Sequence, residues 1–133
     1  MIVIDASAVV DLLVGSQKAS AIRSALAKEA VLHAPEMLDP EVLSTLRRHR
    51  ARGECSPEVA DQAVVELGEL RIVRHRHGPF RSHIWRLRGR CSAYDGCYVA
   101  LADSLGASLL TTDARLGRAA EGLVDVIALG PAA

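Results

Sequence analysis

Short apolar runs alternate with helical patterns from one end of this chain to the other, and that alternation narrows its possible folds more than anything else. Residues 2–4, 31–34, 70–73, 108–111 and 124–129 are too short for helices and rich enough in Val, Ile and Leu to be strands covered on both faces. Between them, residues 8–13, 19–30, 36–52, 59–67, 80–90, 92–105 and 114–120 carry apolar side chains at helical spacing. Gly15, Pro35, Gly53, Gly78-Pro79 and Gly106 punctuate these segments, and Ser56-Pro57 starts one with a cap and a proline at its first position. Strands alternating with helices imply right-handed βαβ units. The expected fold is therefore α/β: three layers, α/β/α, around a central, mostly parallel sheet.

A chain of 133 residues, half of them apolar, can bury a proper core and has the length of one domain, so residues 1–133 are expected to form a single unit. No apolar stretch approaches the roughly 20 residues needed to span a bilayer, and the start lacks the basic region of a signal peptide. A cytoplasmic protein with no membrane partner is expected. Cys55, Cys91 and Cys97 form no C-x-x-C pair, so buried structural thiols are expected rather than disulfides or a zinc site. The formal net charge of zero hides an uneven distribution. Residues 1–46 sum to −3, residues 47–94 to +6 and residues 95–133 to −3. From Arg71 to Tyr94 there are seven arginines, three histidines and no Asp or Glu. Guanidinium forks suit phosphate and stack on bases, whereas the plain alternative is a solvated face or a partner surface.

Four acids stand where an apolar run gives way to a helix. Asp5 closes the first run and Asp113 the fourth, while Glu41 and Asp95 lie near the starts of predicted helices. Open α/β sheets bind ligands in the crevice beyond the carboxyl ends of their strands. Four carboxylates in one crevice repel unless protons or a cation neutralise them, and oxygen-only donors point to a hard divalent ion such as Mg²⁺ or Mn²⁺. Each acid also has a structural reading, because helix starts favour Asp and Glu. Asp5 and Asp113 can be N-caps, Ser92 and Asp95 a capping pair, and Glu41 can follow an Asp39 cap. Asp11, Asp103 and Asp125 read as surface or cap acids. Tyr94, Tyr98, Leu101 and Leu105 form a stripe expected to be buried. His75 and His77 alternate at strand spacing, as on a solvated or RNA-facing edge. Phe80 and Trp85 can stack on bases or pack in a core or dimer contact.

Taken together, Ile2-Val3-Ile4-Asp5-Ala6-Ser7-Ala8, Ala34-Pro35-Glu36 with Glu41 to Arg48, Ser92-Ala93-Tyr94-Asp95 with Tyr98 to Ala102, and Leu110-Thr111-Thr112-Asp113-Ala114-Arg115-Leu116 resemble the PIN-domain ribonucleases, most closely the VapC toxins of bacterial toxin–antitoxin pairs. The four stretches are spread over nearly the whole length, in matching order. The resemblance implies a metal-dependent endoribonuclease with Asp5, Glu41, Asp95 and Asp113 as its catalytic quartet. Asp5, Asp95 and Asp113 would be the principal ligands of Mg²⁺ or Mn²⁺, with Ser7 and Thr112 as accessory polar groups. It also implies an RNA substrate, a VapB-type antitoxin and a homodimer. Two positions depart from the pattern. Gly96 after Asp95 predicts a turn loosened by about 1 kcal/mol relative to alanine, and Pro40 before Glu41 predicts a kink or a helix start capped by Asp39.

Two other classes fit part of the sequence. A Mg²⁺-dependent phosphoacceptor domain needs a lysine late in the chain, but the lysines here are Lys18 and Lys28, both before the second strand. An RNA- or antitoxin-binding protein without catalysis would keep the acids and differ only in failing to cleave. A P-loop nucleotide site is excluded by the absence of G-x-x-x-x-G-K-[ST].

Overall fold

The computed structural model describes residues 1–29 and 31–129. Along the chain run β1 (Ile2–Ile4), α1 (Ala6–Val14), α2 (Ala19–Leu26), β2 (Leu32–Pro35), α3 (Leu38–Ala51), α4 (Pro57–Glu69) and β3 (Ile72–His75). After a 3₁₀ turn at Gly78–Phe80 follow α5 (Arg81–Arg86), α6 (Ala93–Leu105), β4 (Ser108–Thr111), α7 (Ala114–Ala120) and β5 (Val126–Ala128). The strands form one sheet in the order β3-β2-β1-β4-β5, and every pairing is parallel. Helix α1 packs with α2, α3 and α4 in one layer, while α5 packs with α6 and α6 lies on β1, β2 and β4, giving the expected three layers.

The winding explains where a site can form. From β1 the chain moves outward through β2 to β3, then returns past the start to lay β4 on the other side of β1. The strand order reverses between β1 and β4, which opens a crevice at their carboxyl ends. Register Ile4↔Leu110 and the bond from the Asp5 amide to the Leu110 carbonyl (3.2 Å) bring the residues just beyond both strands to the same edge. Val3 and Ile4 are fully buried, as a central strand between two helix layers requires.

Several boundaries differ from expectation for local reasons. Leu70 caps α4, its amide bonded to the Glu66 carbonyl, so β3 begins two residues later than predicted. Pro35 belongs to β2 instead of ending it. The Glu36 amide points to His75 on β3, so the donor that Pro35 lacks would face β1, whose pairing with β2 ends at Val3↔His33. Pro40 does not kink α3: it sits in the first turn, where an amide has no intrahelical partner, and the Glu41 amide bonds normally to the Met37 carbonyl. Met37, not Asp39, is the cap residue. The predicted helix 80–90 is a 3₁₀ turn plus the six-residue α5. The predicted helix 19–30 ends at Leu26, and its last position, residue 30, lies outside the described residues. Gly96 sits within an unbroken α6. It is buried, and a Cβ there would come within 3.3 Å of Ile84 Cγ2, so its missing side chain lets α5 pack closely.

Candidate active site

Asp5 is the N-cap of α1, and its carboxylate is enclosed by donors. Oδ1 accepts from the Ala8 amide (2.9 Å) and the Ser7 hydroxyl (2.8 Å), and Oδ2 from the Thr111 hydroxyl (2.6 Å). Only 4% of the residue is exposed. Burial pushes its carboxyl up to about 6; the donors from Thr111, Ala8 and Ser7 oppose that, and the charge of Asp113 adds to it. Asp113 is the N-cap of α7, accepting from the Arg115 and Leu116 amides, while its own amide donates to Thr111 Oγ1 (2.9 Å). The Thr111 hydroxyl thus links the two strand-end aspartates.

Asp95 sits in the first turn of α6, its amide held by the Ser92 Oγ cap (3.1 Å). Its carboxylate pairs with the Arg115 guanidinium, which also donates to Asp113 Oδ2 (3.2 Å). One arginine therefore ties the acids of α6 and α7 together. Glu41 reaches the same edge from α3. Its Oε1 accepts from the Tyr98 hydroxyl (2.6 Å), and its carboxyl is raised mainly by burial, with Asp95 pushing the same way and Arg48 opposing. Tyr98 is buried, and its phenol lies well above its usual range through burial and the adjoining Glu41.

The four predicted acids thus stand as a ring at one edge: Asp5 is joined to Asp113 through Thr111 and Asp113 to Asp95 through Arg115, while Glu41, bonded to Tyr98, meets the others through the charge of Asp95 and not through a bond. The capping readings of Asp5 and Asp113 hold as well, since both carboxylates cap helices while facing the crevice. Of the two expected accessory groups, Ser7 donates to Asp5, and Thr112 donates its amide to Ser7 Oγ (3.2 Å) and its hydroxyl to Asp11 Oδ2 (2.7 Å), so Asp11 is part of the surrounding network rather than a free surface acid. The sequence reading missed Thr111 and Arg115. Thr111 is the inward residue of β4, and Asp113-Ala114-Arg115 spaces a cation to fold back on its own cap, signals that single-residue scanning overlooks. Tyr94 lies outside the expected buried stripe, 70% exposed at the start of α6 beyond the sheet edge.

Much of the basic block is used locally. Arg74 makes a two-pronged bond to Asp39 (2.8 Å each), Arg90 donates to the Glu121 carbonyl (2.7 Å), and Arg88 stacks 4.6 Å over Trp85. His75 does not alternate with His77 on a strand; it meets His33 (2.9 Å), while His77 lies past the end of β3. The three thiols are half-buried rather than fully enclosed. A hollow of about 400 Å³ lined by Asp103, Gly106 and Asp125 lies at the opposite, amino-terminal edge of β4 and β5, away from the carboxylates.

The ring suits a hard cation in its chemistry. All its acidic donors are oxygen, and a guanidinium already supplies positive charge between Asp95 and Asp113. Among the described residues no group of three or more His, Cys, Asp or Glu side chains is arranged as a ready ligand set. Arg115 bonds the Asp95 and Asp113 oxygens that an ion would use.

A five-stranded parallel sheet with acids gathered at its switch point is the architecture of a PIN domain, and the PIN domain family matches residues 2–122. Ribonuclease VapC3 of Mycobacterium tuberculosis is 42% identical over 119 residues, covering 89% of this chain and 86% of the relative. Ribonuclease VapC1 of the same organism is 43% identical over 118 residues, covering 88% and 89%. A crystal structure of PAE2754 from Pyrobaculum aerophilum superimposes with a TM-score of 0.68 over 93% of this chain and 82% of that one, at 21% identity, which shows a shared fold. The chain belongs to the VapC ribonucleases of the PIN-domain family.

Proposed function

We propose that residues 1–133 act as one PIN-like domain, an endoribonuclease that hydrolyses RNA phosphodiester bonds at the Asp5–Glu41–Asp95–Asp113 ring. Asp5, Asp95 and Asp113 are assigned as ligands of Mg²⁺ or Mn²⁺. The observation that carries this reading is the convergence of four acids from four helix starts, two of them directly beyond strand ends, on the β1/β4 crevice, with an arginine supplying counter-charge to two of them. A divalent cation held there supplies Lewis-acid activation of water and charge neutralisation at the scissile phosphate.

The chain's own groups do the positioning. Ser7, Thr111 and the Ala8 amide fix the Asp5 carboxylate in one orientation, so little reorganisation accompanies ligand binding. The Tyr98 hydroxyl holds one oxygen of Glu41 and leaves the other free to accept a proton from, or orient, an attacking water. Released from Asp95 and Asp113, Arg115 becomes available to the RNA backbone. The substrate is unpaired RNA, since the deep groove of an RNA helix is closed to side chains. As a toxin of a toxin–antitoxin pair, the protein is assigned a VapB-type antitoxin, self-association as a homodimer, and a cytoplasmic site of action. No described helix is long and apolar enough to cross a membrane.

The test is Asp5→Asn, assayed on RNA with and without divalent ions. The substitution should abolish metal-dependent cleavage while the circular dichroism spectrum stays native. Undiminished cleavage would refute the assignment.

A further inference from the structure

A groove of about 290 Å³ opens beside the carboxylate ring, between α3 and the start of α6. Met37, Pro40, Glu41, Ser44, Thr45 and Arg48 line one side and Tyr94 the other. Glu41 belongs to both groove and ring, and Tyr94 immediately precedes Asp95, so whatever enters the groove lies directly against the carboxylates.

Three properties of the groove specify its occupant. Tyr94 is 70% exposed, an aromatic surface not spent on packing, in a chain with only four aromatic residues. Of the others, Tyr98 is buried, Phe80 meets His75 edge-on, and Trp85, on α5 away from the carboxylates and 67% exposed, carries Arg88 on one face. Arg48 is exposed, its guanidinium steadied by the Thr45 hydroxyl (3.1 Å), which itself donates to the Glu41 carbonyl (2.9 Å). Among the described residues Arg48 forms no ion pair, in contrast to Arg74 and Arg115. The volume matches the low end of small-ligand sites, about 300 Å³, and gives room for one flat ring system. An aromatic wall, a cation held by a hydroxyl and direct continuity with the cleavage site are what an unpaired nucleotide needs.

We infer that the α3–α6 groove is the subsite for the unpaired nucleotide next to the scissile phosphate: its base stacks on Tyr94 and its phosphate pairs with Arg48. This rests on the ribonuclease reading above and adds to it the residues that hold one flanking nucleotide.

The experiment separates binding from cleavage. In the Asp5→Asn background, a short fluorescent single-stranded RNA of mixed sequence is titrated against the parent, Tyr94→Phe, Tyr94→Ala and Arg48→Gln, alongside the same RNA lacking its bases. Tyr94→Ala should weaken binding to the intact RNA roughly tenfold, the size of loss expected when one stacked base is released. Tyr94→Phe should retain affinity, and the base-free RNA should bind the parent and Tyr94→Ala alike. Arg48→Gln should weaken both RNAs. Equal binding of intact RNA by the parent and Tyr94→Ala overturns the inference, as does an equal loss on base-free RNA, which would mark a merely structural effect. Partner protein binding that Tyr94→Ala disrupts while RNA binding stays intact overturns it too. A parallel cleavage assay with unmodified Asp5 keeps the two readings apart. Cleavage by that protein together with an inert Tyr94→Ala sinks only the groove, whereas no cleavage at all sinks the ribonuclease reading.

Discussion

At Asp5 one carboxylate caps α1 and faces three other acids, and the two settings pull its protonation in opposite directions. Burial wins, raising its folded pKa to about 6 from 3.8. The folded protein then holds more protons than the unfolded chain across that window, so this group makes stability fall as pH rises from about 4 to about 6 and leaves it constant above. The ceiling of the effect is about 3 kcal/mol. Glu41, raised mainly by burial, acts in the same direction, while His33, lowered by burial and then by His75, acts against it. The comparison between variants isolates Asp5. In chelator, melting of the parent relative to Asp5→Asn should improve as pH drops from about 7 to about 5, with the variant no less stable near pH 7. A pH-independent difference would contradict the burial argument. Arg115 gives a second outcome at this scale. Removing a guanidinium that competes for Asp95 and Asp113 should tighten Mn²⁺ binding by Arg115→Gln, measured by calorimetry. An exposed pair contributes up to about 1 kcal/mol, so the gain should reach at most about fivefold in Kd. Unchanged or weaker binding would show that the arginine does not compete. The acids of the ring were legible in the sequence because each ends an apolar run or begins a helix. Their supporting groups were not, because whether Thr111 or Thr112 faces Asp5 depends on the parity of β4 against β1, a tertiary property.

At the scale of elements, β1 is three residues long yet holds the sheet together, pairing with both β2 and β4. Ile4 is fully buried between the helix layers. Ile4→Ala should therefore cost about 2–5 kcal/mol in urea denaturation, the range for truncating a core aliphatic. A loss below about 1 kcal/mol would mean that the strand is less central than its burial indicates. The alternation of strands and helices was readable because buried parallel strands are written as continuous apolar runs. Boundaries were less readable where neighbours decided them. Leu70 is apolar enough for a strand, but the last turn of α4 takes its amide. Tyr94 fits the periodicity of a buried stripe, but at the second position of α6 it stays 70% exposed, while Gly96 in the same turn is the residue that packs. Gly96 looks like a weakness in the helix until Ile84 is placed against it.

Across the whole molecule, net neutrality conceals a division of labour among the arginines. Arg74 and Arg90 tie elements together, whereas Arg76 and Arg81 are exposed just past β3, on the same edge of the sheet as the carboxylates. Binding of single-stranded RNA by Asp5→Asn protein should weaken with salt. Replacing Arg76 and Arg81 with alanine should flatten the dependence of log Kd on log salt by about 0.7 for each phosphate no longer neutralised. An unchanged slope would assign the electrostatic footprint to other arginines. Sequence charge counting found the basic block but not this partition, since which arginines are occupied depends on which acids the fold sets beside them. The winding of the sheet has a consequence for the cell that makes this protein. The bond between Asp5 and Thr111 closes a span of 106 residues. A polypeptide still growing on the ribosome therefore carries Asp5 for a long stretch of synthesis before β4 emerges to lie beside β1, and the acids stay apart for all of that time.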